Sequence, residues 1–594
     1  MFVDRVKQTP DREAYQYPSG SGWGRYTWKE VGEKVRAIAL GLRSLGLADE
    51  ERAAILSGTR VEWIFCDLGI LCAGGATTTI YPSSTAEDCA YILTDSGTVM
   101  LFAENDDQVA KIAGVRSQLP GLKKVIVIDG KGGHDGWVIS LEELMQKGRA
   151  YDAEDPGRYE KIVASVKGDS LATLIYTSGT TGKPKGVELT HDCWVYEGEV
   201  VASSGLVTSD DLQYLWLPLA HSFGKVLEAV QLRLGFSTAV DGRIDKIVEN
   251  LGVIRPTFVA AVPRIFEKVY NKVVAGPKEA GGAKWAIFKW AVEVGKAASK
   301  EIQAGRKPGG LLAMKYSIAD KLVFSKLKDR FGGRIRVFVS GSAPLNRELA
   351  EFFHACGILI LEGYGLTESS AGTFVNRPDR YRFGTVGIAF EGTQLKFLED
   401  GEILIKGRGI MRGYHNLPEA TAEALDSDGW LHTGDIGNLS PEGFLQITDR
   451  KKDLIKTSGG KYVAPQSIEG KMKVLCPFVS QLVVHGDNRN FCVALVTIEE
   501  EATKKWAAEN GLSNLNYEQL AGHPKVRELL LGYFKQLNEG LASYESIKDF
   551  AILPADLTEK AGELTPSLKL KRKFVEKKYK DLLEKFYAGS VEKV

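Results

Sequence analysis

The sequence predicts an α/β protein with a large N-terminal lobe of mostly parallel sheets flanked by helices, followed by a small α+β C-terminal domain. Three observations lead to this fold class. The 594 residues exceed what one hydrophobic core usually holds. Short apolar, β-branched runs alternate with helical patterns through the first three quarters of the chain. After about residue 465 this alternation gives way to a hairpin pattern, helices and a Lys-rich end.

The predicted strands of the large lobe are apolar runs bounded by turn residues. They cover residues 124–128, 171–176, 257–262, 335–340 and 358–361. Between the last two runs, the pattern predicts a helix that begins at about Asn346 and stops at Gly357. The loops GSAP and EGYGLTE then follow the carboxyl ends of parallel strands, which is the edge where open α/β sheets bind ligands.

A domain boundary is predicted near residues 450–452. It divides the chain into an N-terminal domain, residues 1–450, and a C-terminal domain, residues 451–594. Within the second domain, residues 478–485 and 491–498 predict a β-hairpin around the turn GDNRN. In the first domain, the glycine-rich residues 275–285 predict a mobile surface loop.

Composition limits the partners and the location. Lys and Arg number 76 and Asp and Glu number 76, so the formal net charge is +0 and no global field favours nucleic acid or anionic lipid. Any basic site must therefore be local. Seven cysteines without a C-x-x-C pair argue against a zinc ribbon or a secreted disulfide framework and predict a reducing, cytoplasmic location. The first residues show no secretory signal, and no run approaches the roughly 18 apolar residues of a membrane span.

The segment YTSGTTGKPKGV, residues 176–187, has the composition of a phosphate-binding loop. Its glycines allow backbone N–H groups to approach an anion closely, and its hydroxyl and ammonium groups add donors. These residues are Ser178, Gly179, Thr180, Thr181, Gly182, Lys183, Lys185 and Gly186. Walker P-loop spacing does not fit, because Gly182 follows Gly179 too soon and Lys183 precedes Pro184. An apolar run before the loop and a helix from about Thr190 predict the order strand, loop, helix; a solvated linker is the alternative.

Five further motifs follow this loop in order. They are PLAHSFG with His221, YGLTE at residues 364–368, HTGD ending at Asp435, DRKKDLIK from Asp449, and LTPSLKLKR with Lys569. The ordered set resembles the adenylate-forming superfamily of acyl-CoA synthetases, peptide-synthetase adenylation domains and luciferases, and the resemblance spans the whole chain. It implies a small barrel-like part in the large lobe and a mobile C-terminal domain. It also implies Mg²⁺ as cofactor, with ATP and coenzyme A as co-substrates.

The resemblance implies a nucleotide site along the motif loops. Its predicted residues are Thr177, Ser178, Gly179, Thr180, Thr181, Gly182, Lys183, Gly341, Ser342, Ala343, Glu362, Gly363, Tyr364, Gly365, Thr367, Asp435, Arg450, Lys452 and Lys456. Tyr364 is expected to stack on adenine, while Asp435 accepts hydrogen bonds from the ribose beside Arg450. Thr177 and Glu368 are the implied Mg²⁺ contacts, since Mg²⁺ takes few protein oxygens together with phosphate oxygens. Outside the motif, Tyr364 would be read as a core tyrosine and Glu368 as a solvated helix-start carboxylate.

Lys569 and His221 are the predicted catalytic residues. A carboxylate that attacks the α-phosphorus of ATP meets like charge, so a mobile lysine that bridges both groups would stabilise the transition state. The alternative for Lys569 is a solvated charge run, because several Lys and Arg residues follow it. Leu568 stands where many members of the superfamily have glycine, a departure that favours the long-chain acyl-CoA synthetase branch. His221 resembles the histidine at the end of the acyl pocket, although a lone histidine is more often structural.

Transfer of the acyl group to coenzyme A has different requirements. A free thiol has a pKa of about 8.5, so little thiolate forms near neutral pH and positive surroundings help. The resemblance implies that the C-terminal domain rotates, withdraws Lys569 and brings Ser458, Gly459 and Gly460 to the pantetheine channel. Lys452 is at the implied hinge, with a plain solvated turn as the alternative.

The acid is expected to be a long-chain fatty acid, because residues 258–273 and the insertion that follows resemble the long-chain branch. The expected enzyme is a long-chain fatty-acid–CoA ligase, a monomer or homodimer without a nucleic-acid partner. The alternatives are a fatty-acyl-AMP ligase that delivers the acyl group to a carrier protein and a noncatalytic nucleotide-binding protein. Trp285, Phe288 and Val292 lie at helical spacing beside lysines, which suggests a weak peripheral membrane contact, with ordinary packing as the favoured alternative.

Overall fold

The computed structural model describes residues 1–133, 135–177, 183–458, 460–565 and 569–588. Its strands, in chain order, are β1 (Glu13–Ser19), β2 (Gly22–Thr27), β3 (Arg52–Leu56), β4 (Ala76–Ile80), β5 (Thr98–Asn105), β6 (Lys124–Asp129), β7 (Val138–Ser140), β8 (Leu171–Thr177), β9 (Lys185–Thr190), β10 (Leu212–Leu215), β11 (Ser237–Val240), β12 (Phe258–Ala261), β13 (Val337–Ser340), β14 (Ile360–Tyr364), β15 (Phe374–Val375), β16 (Ile388–Ala389), β17 (Gln394–Phe397), β18 (Glu402–Lys406), β19 (Gly413–Tyr414), β20 (Leu431–Leu439), β21 (Leu445–Arg450), β22 (Ile455–Lys456), β23 (Tyr462–Val463), β24 (Val479–His485), β25 (Cys492–Ile498) and β26 (Ile547–Ile552).

The helices connect and cover these strands. In chain order they are α1 (Phe2–Gln8), α2 (Trp28–Ser44), α3 (Val61–Cys72), α4 (Ala86–Asp95), α5 (Asp106–Ala113), α6 (Leu141–Glu154), α7 (Arg158–Ser165), α8 (His191–Ser203), α9 (Ser222–Leu234), α10 (Ile247–Ile254), α11 (Pro263–Ala280), α12 (Gly282–Gln303), α13 (Gly310–Ala319), α14 (Ser325–Arg330), α15 (Arg347–Ala355), α16 (Pro418–Ala424), α17 (Pro465–Leu475), α18 (Glu500–Glu509), α19 (Tyr517–Ala521), α20 (Pro524–Glu539), α21 (Arg572–Lys578) and α22 (Lys580–Lys585). A π-helical turn, Asp320–Phe324, joins α13 to α14.

Two large sheets form the first part of the chain. Within the described residues, one has nine strands in the order β16-β15-β14-β13-β12-β10-β11-β1-β2, and the other has eight in the order β19-β9-β8-β4-β3-β5-β6-β7. Most neighbouring strands are parallel, such as β10, β12, β13 and β14 in the first sheet and β8, β4, β3, β5 and β6 in the second. Their interiors are buried because helices cover the sheets, as parallel sheets require. The predicted α/β class is therefore confirmed.

The predicted strand, helix and strand of residues 335–361 are confirmed. β13 and β14 are parallel neighbours, and α15 lies between them in the chain. The Asn346 side chain accepts the N–H groups of Glu348 at 2.8 Å and Leu349 at 3.1 Å, which caps the start of α15. Gly357 has a φ of +78°, so it ends the helical path in a conformation that favours glycine.

The phosphate-loop segment has a different topology from the one predicted. β8 and β9 are antiparallel neighbours, with Thr177 opposite Lys185. α8 does begin after Thr190, but β9 lies between the loop and the helix. The predicted order of strand, loop and helix is wrong, because Val187 and Leu189 alternate with polar residues and form a further strand.

The glycine-rich residues 275–285 are helical rather than a loop. α11 runs to Ala280 and α12 starts at Gly282, so the chain leaves helical geometry only around Gly281 and Gly282, with φ of +59° and +51°. The loop prediction is wrong because two glycines alone supply the positive φ that the break requires.

Ordinary packing, which the sequence favoured over a membrane contact for Trp285, Phe288 and Val292, is what the structure shows for these residues. Phe288 is 6% exposed within the core, and the Trp285 ring stacks on it with 5.7 Å between centroids. Val292 packs against the same core, so ordinary packing, the alternative reading, is confirmed. Among the described helices, none is long and apolar enough to cross a bilayer.

The expected barrel-like part is a four-stranded antiparallel sheet in the order β17-β18-β20-β21. Among the described residues, β17 and β21 are its two edges and do not pair with each other, so the sheet is open and the barrel prediction needs this correction. Its importance lies in β20 and β21, whose ends carry Asp435 and Arg450 opposite each other.

Residues from Ile455 onward have cores of their own. β24 and β25 form the predicted antiparallel hairpin, and β26 adds to β25 in parallel. One face of this sheet packs with α17 and α20, and the other packs with Leu553, Leu564 and Val575. The change of pattern noted in the sequence thus coincides with a change of core.

A buried ion triad attaches α9 to α3. Lys225 on α9 donates from Nζ to the carboxylate of Asp67 and, at 3.0 Å, to Oε2 of Glu228, and all three side chains are buried. Burial is the largest influence on Glu228 and raises its pKa, and the nearby Asp67 acts in the same direction while Lys225 opposes it. The triad fixes the helix whose first turn follows His221.

We predict that Lys225→Met destabilises the fold by about 3–5 kcal/mol, because it leaves the Asp67 carboxylate buried without a counterion. The matched control is Lys246→Met, whose ion pair with Glu249 is exposed, at 40% and 64%, and which should cost no more than about 0.5 kcal/mol. Thermal unfolding of both variants checks this. An equally small shift in melting temperature for the two variants would contradict it.

Candidate active site

Three loops meet at the carboxyl edge of the nine-stranded sheet. The loop after β10 ends at His221, the loop after β13 begins with Gly341, and the loop after β14 leads into Thr367. The hydroxyl oxygens of Ser222 and Thr367 are 3.3 Å apart, and the Phe223 ring lies 3.2 Å from the position that a Cβ on Gly341 would take. The predicted position of the two loops after β13 and β14, at the carboxyl ends of parallel strands, is confirmed.

The loops predicted to form the adenine slot, residues 341–343 and 362–365, have a constrained backbone. Ser342 has a φ of +68°, a left-handed conformation that is uncommon outside glycine and often occurs at functional sites. A Cβ on Gly365 would lie 1.8 Å from the carbonyl oxygen of Ala371, so the loop after β14 folds back on itself only with glycine there.

Glu362 and Gly363 form the end of β14. The Glu362 carboxyl accepts the N–H of Leu345 at 2.8 Å, and burial raises its pKa to about 8. It is therefore mostly neutral at pH 7 and contributes hydrogen bonding rather than charge. Gly363 lies opposite Val375 in β15, while Ala343 is exposed in the neighbouring loop.

The carboxylate of Asp435 contacts two other predicted nucleotide residues, Tyr364 and Arg450. Tyr364 Oη donates to Oδ2 of Asp435 at 2.6 Å, and Nε of Arg450 lies 3.0 Å from Oδ1. The pairing of β20 with β21 sets Asp435 opposite Arg450. Burial raises the pKa of Asp435, and the charge of Arg450 is the largest influence that opposes this shift. The structure brings these residues together, and their contacts to adenine and ribose stay predictions.

Lys569 reaches the same cleft from the C-terminal part of the chain. Its N–H donates to Oγ1 of Thr565 at 3.0 Å and its carbonyl accepts the N–H of Thr565 at 2.8 Å. The Lys569 side chain is exposed to solvent, but only within a cleft that protein surrounds. Desolvation in this cleft, and then repulsion from Arg450, lower the pKa of Lys569 to about 8. Attraction to Asp435 and Glu368 acts in the opposite direction. The amine therefore lies among two carboxylates and a guanidinium.

His221 is the N-cap residue of α9. Its Nδ1 accepts the N–H of Phe223 at 3.1 Å, so the ring proton of the neutral form is on Nε2. Burial, and then the positive charge of Lys569, lower the pKa of His221 to about 3. The imidazole is neutral at physiological pH and offers a hydrogen-bond donor at Nε2.

Glu368 has a partner that the motifs did not predict. Tyr414 Oη donates to Oε1 of Glu368 at 2.8 Å, and Nζ of Lys185 lies 4.8 Å from the centroid of the Tyr414 ring. Lys185 is opposite Thr177 in the β8–β9 hairpin. Thr177 and Glu368, the two implied metal contacts, are thus linked through Lys185 and Tyr414. No local pattern marks Tyr414, because its position depends on the pairing of β19 with β9.

The remaining predicted residues that the structure describes have partners of their own or are exposed. Nζ of Lys183 is 4.7 Å from the centroid of the Tyr91 ring. Lys452 and Lys456 are exposed, and Ser458 donates its N–H to the carbonyl of Arg489 at 3.0 Å, in the turn of the β24–β25 hairpin. Gly460, two residues further on, has a φ of +74°. Predicted residues outside the described part of the chain are Ser178, Gly179, Thr180, Thr181, Gly182 and Gly459.

Fold and cleft together define an adenylate-forming protein, and comparison with known families agrees. Residues 2–415 match the family model described as AMP-binding enzyme, and residues 452–591 match the AMP-binding enzyme C-terminal domain. The chain belongs to the AMP-binding enzyme family.

Curated relatives align along nearly the whole chain. It is 38% identical over 590 residues to the long-chain-fatty-acid–CoA ligase FadD15 of Mycobacterium bovis, covering 99% of this chain and 96% of the relative. It is 31% identical to the long-chain-fatty-acid–CoA ligase ACSBG2 of Homo sapiens, covering 99% and 91%.

Solved structures share the fold. The adenylation domain of a carboxylate reductase from Mycobacterium chelonae superimposes with a TM-score of 0.76 at 22% identity, over 99% of this chain and 90% of that one. The anthranilate CoA ligase AuaEII, solved with anthranoyl-AMP, gives a TM-score of 0.72 at 19% identity, over 97% and 96%.

Proposed function

We propose that the protein is an ATP-dependent ligase that converts a long-chain fatty acid into an acyl-adenylate and pyrophosphate, then transfers the acyl group to coenzyme A to give acyl-CoA and AMP. The observation that carries the proposal is the cleft in which Lys569 lies beside Arg450, Asp435, Glu368 and His221. The names of the relatives, which are long-chain-fatty-acid–CoA ligases along nearly the full chain, support the same activity.

In the first step, an oxygen of the fatty-acid carboxylate attacks the α-phosphorus of ATP. A new P–O bond forms and the bond to the departing pyrophosphate breaks, while two anionic groups approach each other. With a pKa of about 8, Lys569 is mostly protonated at pH 7 and offsets this repulsion. Neutral His221 donates a hydrogen bond from Nε2 to a carboxylate oxygen and keeps its own proton. Both groups are oriented before charge develops, which is the source of electrostatic catalysis.

Thr177 and Glu368 would hold Mg²⁺. Hydroxyl and carboxylate oxygens are the hard donors that Mg²⁺ prefers, and the hydrogen bond from Tyr414 orients Oε1 of Glu368. When bound, the ion neutralises phosphate charge and so favours departure of pyrophosphate. The chain's own contribution is to fix these oxygens beside Lys185 at the mouth of the phosphate loop.

For the second step, residues 451–594 are proposed to move as a domain relative to residues 1–450. The separate cores after Ile455 support this division. Rotation about Lys452 would withdraw Lys569 and bring the turn at residues 458–460 to the channel for the pantetheine arm of coenzyme A. The thiol loses its proton to solvent and its sulfur attacks the acyl carbonyl, so a C–S bond forms, the C–O bond to the phosphate breaks, and AMP leaves. The domain movement would thus let the same cleft serve two steps, with Lys569 present in the first and the turn at residues 458–460 present in the second.

We favour catalysis over a noncatalytic nucleotide-binding role, because the cationic amine of Lys569 near the neutral imidazole of His221 suits a carboxylate that must approach a phosphate. Delivery to a carrier protein, the other alternative, differs only in the acceptor thiol. The proposed location is the cytoplasm, supported by seven cysteines that are all buried and unpaired. A weak peripheral membrane contact stays part of the proposal, with a different surface argued below.

We expect the purified protein to release pyrophosphate with long-chain acids and to form acyl-CoA only when coenzyme A is added. The measurement is pyrophosphate and thioester formation across carboxylates from acetate to stearate, with and without coenzyme A. Acyl-adenylate that accumulates and never becomes thioester would favour the carrier-protein alternative. Absence of pyrophosphate with every acid would refute the ligase assignment.

Lys569→Ala should keep ATP binding and lower the rate of acyl-adenylate formation by at least about 100-fold, since one oriented cation in the transition state is lost. The control is Lys573→Ala, an exposed lysine of the same charge run, which should leave the rate unchanged. Titration calorimetry with ATP and pyrophosphate release measure the two effects. Equal rates for wild type and Lys569→Ala would overturn the catalytic assignment.

Tyr414→Phe should raise the Mg²⁺ concentration needed for half-maximal adenylation by about 10-fold to 100-fold, because Glu368 loses the group that orients it. The control is Tyr381→Phe, which removes a 3.0 Å hydrogen bond to His354 outside the cleft. A near-normal maximal rate of Tyr414→Phe at saturating Mg²⁺ would show that the variant is folded and that Tyr414 acts by orienting Glu368. An unchanged Mg²⁺ dependence would contradict the role of Tyr414.

A further inference from the structure

The helices α12 and α13 expose an unusual amount of apolar surface. Within the described residues, 7 of the 18 exposed large apolar side chains fall between residues 287 and 322. A contiguous exposed apolar patch normally marks an interaction site, whereas single exposed apolar residues are scattered, so the placement of these side chains matters.

The clearest part is a stripe on α13 and the π-helical turn after it, which we call the α13 stripe. It consists of Leu311, Met314, Ile318 and Leu322, exposed at 61%, 56%, 45% and 47%. Their spacings of three, four and four residues place them on one helical face. α12 packs beside α13 and exposes Trp290 at 37%.

The opposite face of this helix is already used by the core. Ala319 and Phe324 are fully buried, and the Tyr316 ring lies 5.8 Å from that of Phe324. A surface helix usually carries polar residues on its outward face. Here both faces are apolar, so packing within the described chain does not account for the α13 stripe.

The charge around the stripe is strongly positive. Residues 282–326 contain nine Lys and Arg against three Asp and Glu, although the whole chain has a formal net charge of +0. Lys315 and Lys321 are exposed within the stripe's own helical segment, and Lys289 and Lys300 are exposed on α12. Apolar side chains with flanking lysines are what an interfacial helix presents to the headgroup region of an anionic bilayer.

We propose that the α13 stripe and its lysines dock the protein on an anionic membrane surface. The charge excess selects this occupant over a second copy of the chain, since two such surfaces would repel each other. The α13 stripe would be the surface that makes the membrane contact of the proposed function. Its docking rests on the proposed function in one respect, which is that a ligase for long-chain acids would benefit from it. Long-chain acids partition into bilayers, so a docked enzyme would meet its substrate there.

The test is vesicle co-sedimentation of the full chain, without substrates. Wild type should bind phosphatidylcholine vesicles that contain phosphatidylglycerol, bind pure phosphatidylcholine more weakly, and lose the difference at high salt. The variant Leu311→Glu/Met314→Glu/Ile318→Glu should lower the affinity for anionic vesicles by at least about tenfold. The matched control, Leu398→Glu/Leu439→Glu/Leu531→Glu, adds three charges at exposed leucines elsewhere and should bind as wild type.

A second pair of variants tests the lysines. Lys315→Glu/Lys321→Glu should weaken anionic binding and flatten its salt dependence, whereas Lys315→Arg/Lys321→Arg should keep both. Wild type that ignores anionic vesicles, or a stripe variant that binds like the control, would overturn the proposal. The proposal would also be overturned if light scattering showed that wild type is a dimer, that the stripe variant is a monomer, and that neither binds vesicles. Ligase activity on a long-chain acid, palmitate delivered from albumin in vesicle-free buffer, is measured in parallel, so loss of docking and failure of the proposed activity are distinguished.

Discussion

The contacts of the Asp435 carboxylate are the interaction on which the cleft depends. Tyr364, from the end of β14, and Arg450, from the end of β21, both bind this one buried group. The carboxylate therefore ties the nine-stranded sheet to the four-stranded sheet immediately before the chain enters its C-terminal part. A buried charge is stable only when such partners satisfy it, so the position of Asp435 constrains both sheets at once.

The same carboxylate shapes the electrostatics of catalysis. Asp435 and Glu368 attract the amine of Lys569, while Arg450 and desolvation act against its charge. Lys569 in turn helps to keep His221 neutral, so the cleft contains a cation and a neutral donor side by side. These two groups suit a carboxylate that must approach a phosphate, because one offsets charge and the other orients oxygen without protonating it.

Sequence reasoning succeeded where a short segment fixes its own structure. The helix capped by Asn346, the hairpin of β24 and β25 and the loops at the ends of β13 and β14 follow from local patterns. It failed where contacts with distant segments of the chain determine the local structure. KGVELT became a strand because β8 and β19 lie on either side of it, and the same pairing places Tyr414 against Glu368.

The sequence by itself determined the class of fold, the set of motif residues and the order in which they occur, because glycines, hydroxyls and charges at fixed spacings have local chemical meanings. Only the tertiary structure decided that β8 and β9 pair antiparallel, that Tyr414 binds Glu368, and that Phe288 is buried while Leu311 and Met314 are exposed. The physical reason is that an apolar periodicity shows that a helix has an apolar face, whereas only the packing of neighbouring elements shows which face remains open.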